Sequence, residues 1–309
     1  MNLESLSNWD PSVSDNLSYD LFLAFFNHEE RSRDLATKIE AVCLKKIAII
    51  TKPIDKNEDG CAHDFGFSLV DVDSLKGCFS ELAIPEDRKV CILIDISCMP
   101  RHVMAEVMSN LFSVLSSCNV RLRVNYTIAS YSLPPADISA NESIEAVHSD
   151  FSGWSYADSK PTSLILGLGY EPFKAEGASE FFEPYDQWVF VPESPVVEYL
   201  PMVIKNNDEL LSRSSVESKT IYYKVDDPES TFGQLEQVVS LLAQTTNPVL
   251  MPFGPKILFF LCLIQSHCHP EVGVWCVTGN HPEEVGSSFA SDYSCGIDCV
   301  FSLVDECTQ

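Results

Sequence analysis

Four short stretches of this chain concentrate residues that could do chemistry. Each one follows an apolar run. The first is Asn27 to Arg31, where Glu29, Glu30 and Arg31, with Arg33 after them, could serve a catalytic or ribose-binding role, Glu29 or Glu30 as acid or base. The second runs from Asp95 to Arg101 and carries Ser97, Cys98 and Arg101, with His102 next. The third is Gly167 to Glu171, a Gly-x-Gly with Tyr170 beside it. The fourth is Pro252-Phe253-Gly254-Pro255-Lys256.

Each stretch has a structural reading beside the chemical one. Asn27 is a favoured helix N-cap and Glu30 stands three residues later, as a capping box requires. A carboxylate such as Asp95, breaking the run Val90 to Ile96, needs a partner if it is buried. Arg101 and His102 are the local candidates. Cys98 before a helix could be an activated thiol, although no histidine is spaced to pair with it. Gly167 and Gly169 let a backbone approach a ligand at a helix start, which favours anions, and also suit any tight turn. Lys256 at a helix start opposes the helix dipole. It points either to an anion held by Gly254 and Lys256 or to a lysine turned to solvent.

The elements that would position these residues alternate between strand and helix. Expected strands are 19–26, 46–50, 65–70, 90–96, 120–130, 163–168, 188–191, 220–225, 248–251 and 273–278. Expected helices run from residue 27 to about 44, from 100 to 115, to about 182, from 232 to 244 and over 257–265. The pattern predicts an α/β fold with mostly parallel, Rossmann-like sheets flanked by helices, and two lobes. Residues 1–18 read as a flexible N-terminus, 19–134 as the first α/β half, 135–161 as a linker or loop and 162–309 as the second half. Loops are expected at 51–64, with Pro53, Asn57, Asp59 and Gly60, and at 85–88.

The chain has 309 residues, 45% of them apolar, and a formal charge of −25. That charge opposes broad binding to a nucleic-acid backbone. It suits plain solubility, a basic partner or mimicry of nucleic acid. No apolar run reaches membrane-spanning length, and no secretory signal opens the sequence. Most of the twelve cysteines whose setting is clear sit among apolar neighbours, as reduced thiols of a cytoplasmic protein would. Cys295 and Cys299, with Cys307, His267 and His269, match no standard zinc spacing. No metal or cofactor is expected.

Two stretches resemble known families. Tyr19-Asp20-Leu21-Phe22-Leu23-Ala24-Phe25 looks like the opening strand of TIR domains, with Ala24 where those domains carry a serine. Val249-Leu250-Met251-Pro252-Phe253-Gly254-Pro255-Lys256 is similar in shape to the strand, turn and lysine of CARF and SAVED domains, without their Thr-Gly-Gly-Thr. These resemblances imply bacterial antiviral defence, a nucleotide or cyclic oligonucleotide ligand, and protein partners. The expectation is a non-catalytic sensing or partner-binding component. The alternative is an enzyme that cleaves a nucleotide glycosidic or phosphate bond through Glu29 or Glu30.

Overall fold

The computed structural model describes residues 1–13, 17–27, 29–39, 41–51, 62–82, 84, 88–133, 143–153, 159–216, 218–278 and 289–303. In chain order the elements are β1 (Asn2–Trp9), β2 (Tyr19–Phe25), α1 (Asp34–Lys38), β3 (Cys43–Ile50), β4 (Ser68–Asp71), α2 (Leu75–Ser80), β5 (Val90–Asp95), α3 (Arg101–Val114) and β6 (Val120–Ala129). They continue with β7 (Ser143–Ala146), β8 (Thr162–Gly167), α4 (Lys174–Phe182), β9 (Asp186–Glu193), α5 (Tyr199–Asn206), α6 (Asp208–Val216), β10 (Thr220–Lys224), α7 (Pro228–Leu242), β11 (Asn247–Pro252), α8 (Lys256–Cys268), β12 (Gly273–Thr278) and β13 (Ala290–Ser302). The fold is α/β with two mostly parallel sheets, in two units: 1–130 with 287–309, and 131–286.

In the first unit the sheet order is β1-β13-β6-β5-β2-β3-β4. Strands β2 to β6 are all parallel, and β13 and β1 add an antiparallel edge. Leu21, Leu23, Ile47, Ile92 and Ile94 are fully buried. Strands covered on both faces need such unbroken apolar runs. The second unit has the order β10-β9-β8-β11-β12-β7, parallel except for β7. Here α8 is buried from Ile257 to Ser266. A helix apolar all round has no face to give to water.

The two parallel cores share one plan. The first strand lies in the middle, the next two run off to one side, and the last two to the other. The order β4-β3-β2-β5-β6 thus matches β10-β9-β8-β11-β12. In the pairing registers, Ala24 faces Asp95 in one core and Gly167 faces Pro252 in the other.

Several expectations change. Residues 2–9 are not loose but form β1, paired with β13. Only Leu3, Leu6 and Trp9 are half-buried there, a spacing of three that hides a strand, and a bulge between Leu3 and Ser5 breaks the register. The helix expected to reach residue 44 is a 3-10 turn, Glu30–Arg33, followed by α1, which stops at Lys38 because Ile39 is extended. The capping box is absent: Asn27 Oδ1 accepts from the Glu29 backbone N–H at 3.0 Å instead. The stretch 135–161 contains β7 and a 3-10 turn, Ser149–Phe151. The segment 162–309 does not stay together, since β13 returns to the first sheet. The expected breakers Pro53, Asn57, Asp59 and Gly60, the turn residues 85–87, and residues 134–142 and 154–158 lie outside the described residues. Helices α5 and α6, between β9 and β10, were not among the expected elements.

Candidate functional site

In the first unit the chain reverses direction across the sheet between β2 and β5. The loops leaving their carboxyl ends part at that point, and such a crevice is where open α/β sheets bind ligands. The loop after β2 carries Asn27, Glu29 and Arg31, and the loop after β5 carries Ser97 and Cys98. Strand β6 adds Asn125 and Thr127, and α1 adds Asp34.

These side chains form one buried network. Arg31 donates through Nε and Nη2 to Glu29 Oε2 at 3.1 and 2.7 Å, and through Nη1 to the Thr127 carbonyl at 3.2 Å. The Cys98 thiol donates to the same Glu29 oxygen at 3.6 Å. Asp95 Oδ1 accepts from the Ser97 N–H at 2.9 Å, the Ser97 hydroxyl at 2.5 Å and the Asn125 amide at 3.2 Å. Ser97 Oγ accepts from the Thr127 N–H at 2.8 Å. The Thr127 hydroxyl donates to Asp34 at 3.1 Å. Glu29, Arg31, Asp95 and Ser97 are all buried.

Burial pushes the Asp95 carboxyl up to about 6; the bonds from Ser97 and Asn125 offset that only in part. Asp95 can therefore hold or release a proton near neutral pH. Burial alone would lower the Arg31 pKa, but Cys98 and Glu29 beside it raise it. Glu29 Oε2 accepts three hydrogen bonds. It orients Arg31 and Cys98, and is poorly placed to take a proton from a substrate.

Of the residues expected from sequence, Asn27, Glu29, Arg31, Asp95 and Ser97 come together, with Cys98. Glu30 is exposed and outside the network. Arg101 opens α3 half-buried and His102 is exposed, so neither is the hydrogen-bond partner expected for Asp95; Ser97 and Asn125 take that place. Asn125, Thr127 and Asp34 were missed. The signal for Asn125 and Thr127 was the polar alternation Arg121, Arg123, Asn125, Thr127 along an otherwise apolar strand.

The second unit fills its equivalent crevice with its own backbone. The N–H groups of Phe253 and Gly254 both donate to the Gly167 carbonyl, at 2.8 and 3.1 Å. A Cβ on Gly169 would stand 2.7 Å from the Phe253 carbonyl oxygen, and one on Gly254 2.6 Å from that of Leu168. These glycines are required by chain packed on chain. Gly167-x-Gly169 does not run straight into a helix, because α4 begins at Lys174 after a left-handed Phe173. Asn206 and Asn207 donate to the carbonyls of Tyr170 and Gly169 at 2.6 and 2.9 Å, tying down the turn. Lys256 opens α8 half-buried, behind the extended Pro255. Gly254→Ala should lower stability by about 1–3 kcal/mol, the usual range for overpacking. Urea unfolding of the full chain checks this, and an unchanged midpoint would show that the turn has room.

Among the described residues, no group of three or more His, Cys, Asp or Glu could hold a metal ion. Cys295 and Cys299 both lie on β13, about 13 Å apart by strand rise, whereas His267 and His269 belong to the second unit. No helix among the described residues is long and apolar enough to cross a membrane. No protein-family model matches the chain, and no curated protein matches it.

Proposed function

We propose that this chain is a Rossmann-like sensing module. Its first unit holds a polar ligand of the nucleotide class at the switch point between β2 and β5 and does not transform it. The observation that carries this reading is the network of the half-buried Asn27 with the buried Glu29, Arg31, Asp95, Ser97, Cys98, Asn125 and Thr127 at that crevice. Such a set rigidifies a rim and presents Asp95 as a group that can accept or donate a hydrogen bond. The three bonds already accepted by Glu29 Oε2, and the exposed position of Glu30, favour sensing over hydrolysis. A bacterial antiviral complex, with a protein partner and a cyclic oligonucleotide as ligand, rests on the resemblance of residues 19–25 and 249–256. A reducing, cytoplasmic setting rests on the apolar neighbours of Cys43, Cys91, Cys118 and Cys262 in the sequence.

Calorimetric titration of the full chain with mononucleotides, dinucleotides and cyclic oligonucleotides tests this reading. At least one should give heat, and Ser97→Ala should weaken that binding by about tenfold, the loss expected for one hydrogen bond to a charged group. Chromatography of the mixture should return the nucleotide intact. Silence with every nucleotide, or a cleaved product, would overturn the proposal.

A further inference from the structure

The second unit carries an aromatic and acidic patch at the end of α4. Phe181 is 61% exposed and Tyr185 78%, although a single turn separates them. Phe181 stacks edge-on against Phe182, which in turn meets Trp275, so the exposed ring is anchored to the core cluster. Around these rings acids outnumber bases, although Lys219 pairs with Asp186 at 2.7 Å. From residue 171 to 186 the acids are Glu171, Glu176, Glu180, Glu183 and Asp186, and the base is Lys174, which is buried. Glu171, Glu180 and Glu183 are exposed. Glu176 stands against Glu209 of α6; burial and that neighbour lift its carboxyl above the ordinary range, and Arg213 at 3.3 Å offsets them only in part.

Exposed rings beside like-charged carboxylates call for an occupant that is both cationic and apolar. A second copy of this chain fails, because a two-fold contact would set the same acids against each other. Anionic lipid and nucleic-acid backbone fail for the same electrostatic reason. Arginine satisfies both demands, since its planar cation stacks on aromatic faces and pairs with carboxylates. We propose that the C-terminal end of α4, with Phe181, Tyr185, Glu180 and Glu183, docks a basic segment of a partner protein that carries arginines and apolar anchors. The proposal stands apart from the ligand reading of the first unit.

The test uses the full chain and a synthetic amphipathic peptide of Arg, Leu and Ala, followed by fluorescence anisotropy. The peptide should bind, and Phe181→Ser with Tyr185→Ser should weaken it about tenfold or more, as loss of a central aromatic anchor does. Glu180→Gln with Glu183→Gln should weaken it similarly and flatten its salt dependence. Val42→Ser with Leu44→Ser, exposed apolar residues of the first unit, should leave it unchanged. All these positions are exposed, so the melting temperature should hold. Absence of binding, equal affinity across the variants, or equal binding of a scrambled peptide would overturn the proposal.

Discussion

Asp298→Ala should destabilise the first unit by about 3–5 kcal/mol, the loss typical of a broken buried ion pair. Asp298 lies on β13 and is 7% exposed. Its carboxylate accepts from Arg121 Nε at 3.0 Å, Arg121 Nη2 at 2.6 Å and Arg123 Nε at 2.9 Å. These bonds raise the Arg121 pKa above its ordinary value. Arg123 is the more committed partner. It is buried, donates to the Tyr19 hydroxyl at 3.0 Å and packs 5.1 Å from the Trp9 ring. Removal of Asp298 would take from that buried guanidinium a carboxylate 2.9 Å away. The same carboxylate fastens the C-terminal strand, and through it β1, to β6. Hydrogen exchange of the β6 amides reports on this unit by itself and is the measurement of choice. A change below about 0.5 kcal/mol would place the pair in the class of surface bridges.

Asp95→Asn should have the largest effect at the candidate site, and its sign depends on pH. The folded carboxyl titrates near 6 because it is buried, whereas its ordinary value is 3.8. Below pH about 4 both folded and unfolded chains hold the proton, so there is no penalty. Between about 4 and 6 the unfolded chain gives up a proton that the folded chain keeps, and stability falls as pH rises. Above about 6 the full penalty is present, roughly 3 kcal/mol by the usual conversion. The asparagine oxygen can still accept from Ser97 and Asn125, and the buried charge is gone. The variant should therefore be more stable than the parent by about 1–3 kcal/mol at neutral pH, and the two should converge near pH 4. Nucleotide binding should weaken at the same time, because the carboxyl that orients Ser97 and Asn125 at the crevice is lost. Urea melts across this range, paired with calorimetry, test both halves. A variant equally stable at every pH would show that Asp95 carries no buried charge. A stabilised variant with full affinity would remove Asp95 from the ligand site while leaving the electrostatics intact.

Local chemistry announced much of this protein. Runs such as Val90 to Ile94 and Ile257 to Ile264 have no polar side, so they must become a buried strand and a buried helix wherever they fall. Their alternation then required parallel sheets with helical crossovers. Asp95 was legible because a carboxylate in such a run needs an explanation, and the loop after β2 was legible because it packs charge behind an apolar strand. Tertiary structure decided which of these groups meet. Glu29 finds Arg31 two residues away, but Asp95 finds Asn125 and Ser97 finds Thr127 across the sheet, and no spacing within one strand foretells a register with the next. The glycines of the second unit looked like ligand contacts because a glycine states only that something comes close; packing showed that the neighbour is the chain itself. The return of β13 to the first sheet was invisible for the same reason. It rests on pairing across more than a hundred residues and on Asp298 meeting Arg121 and Arg123, and long-range pairing leaves no periodic trace in either partner.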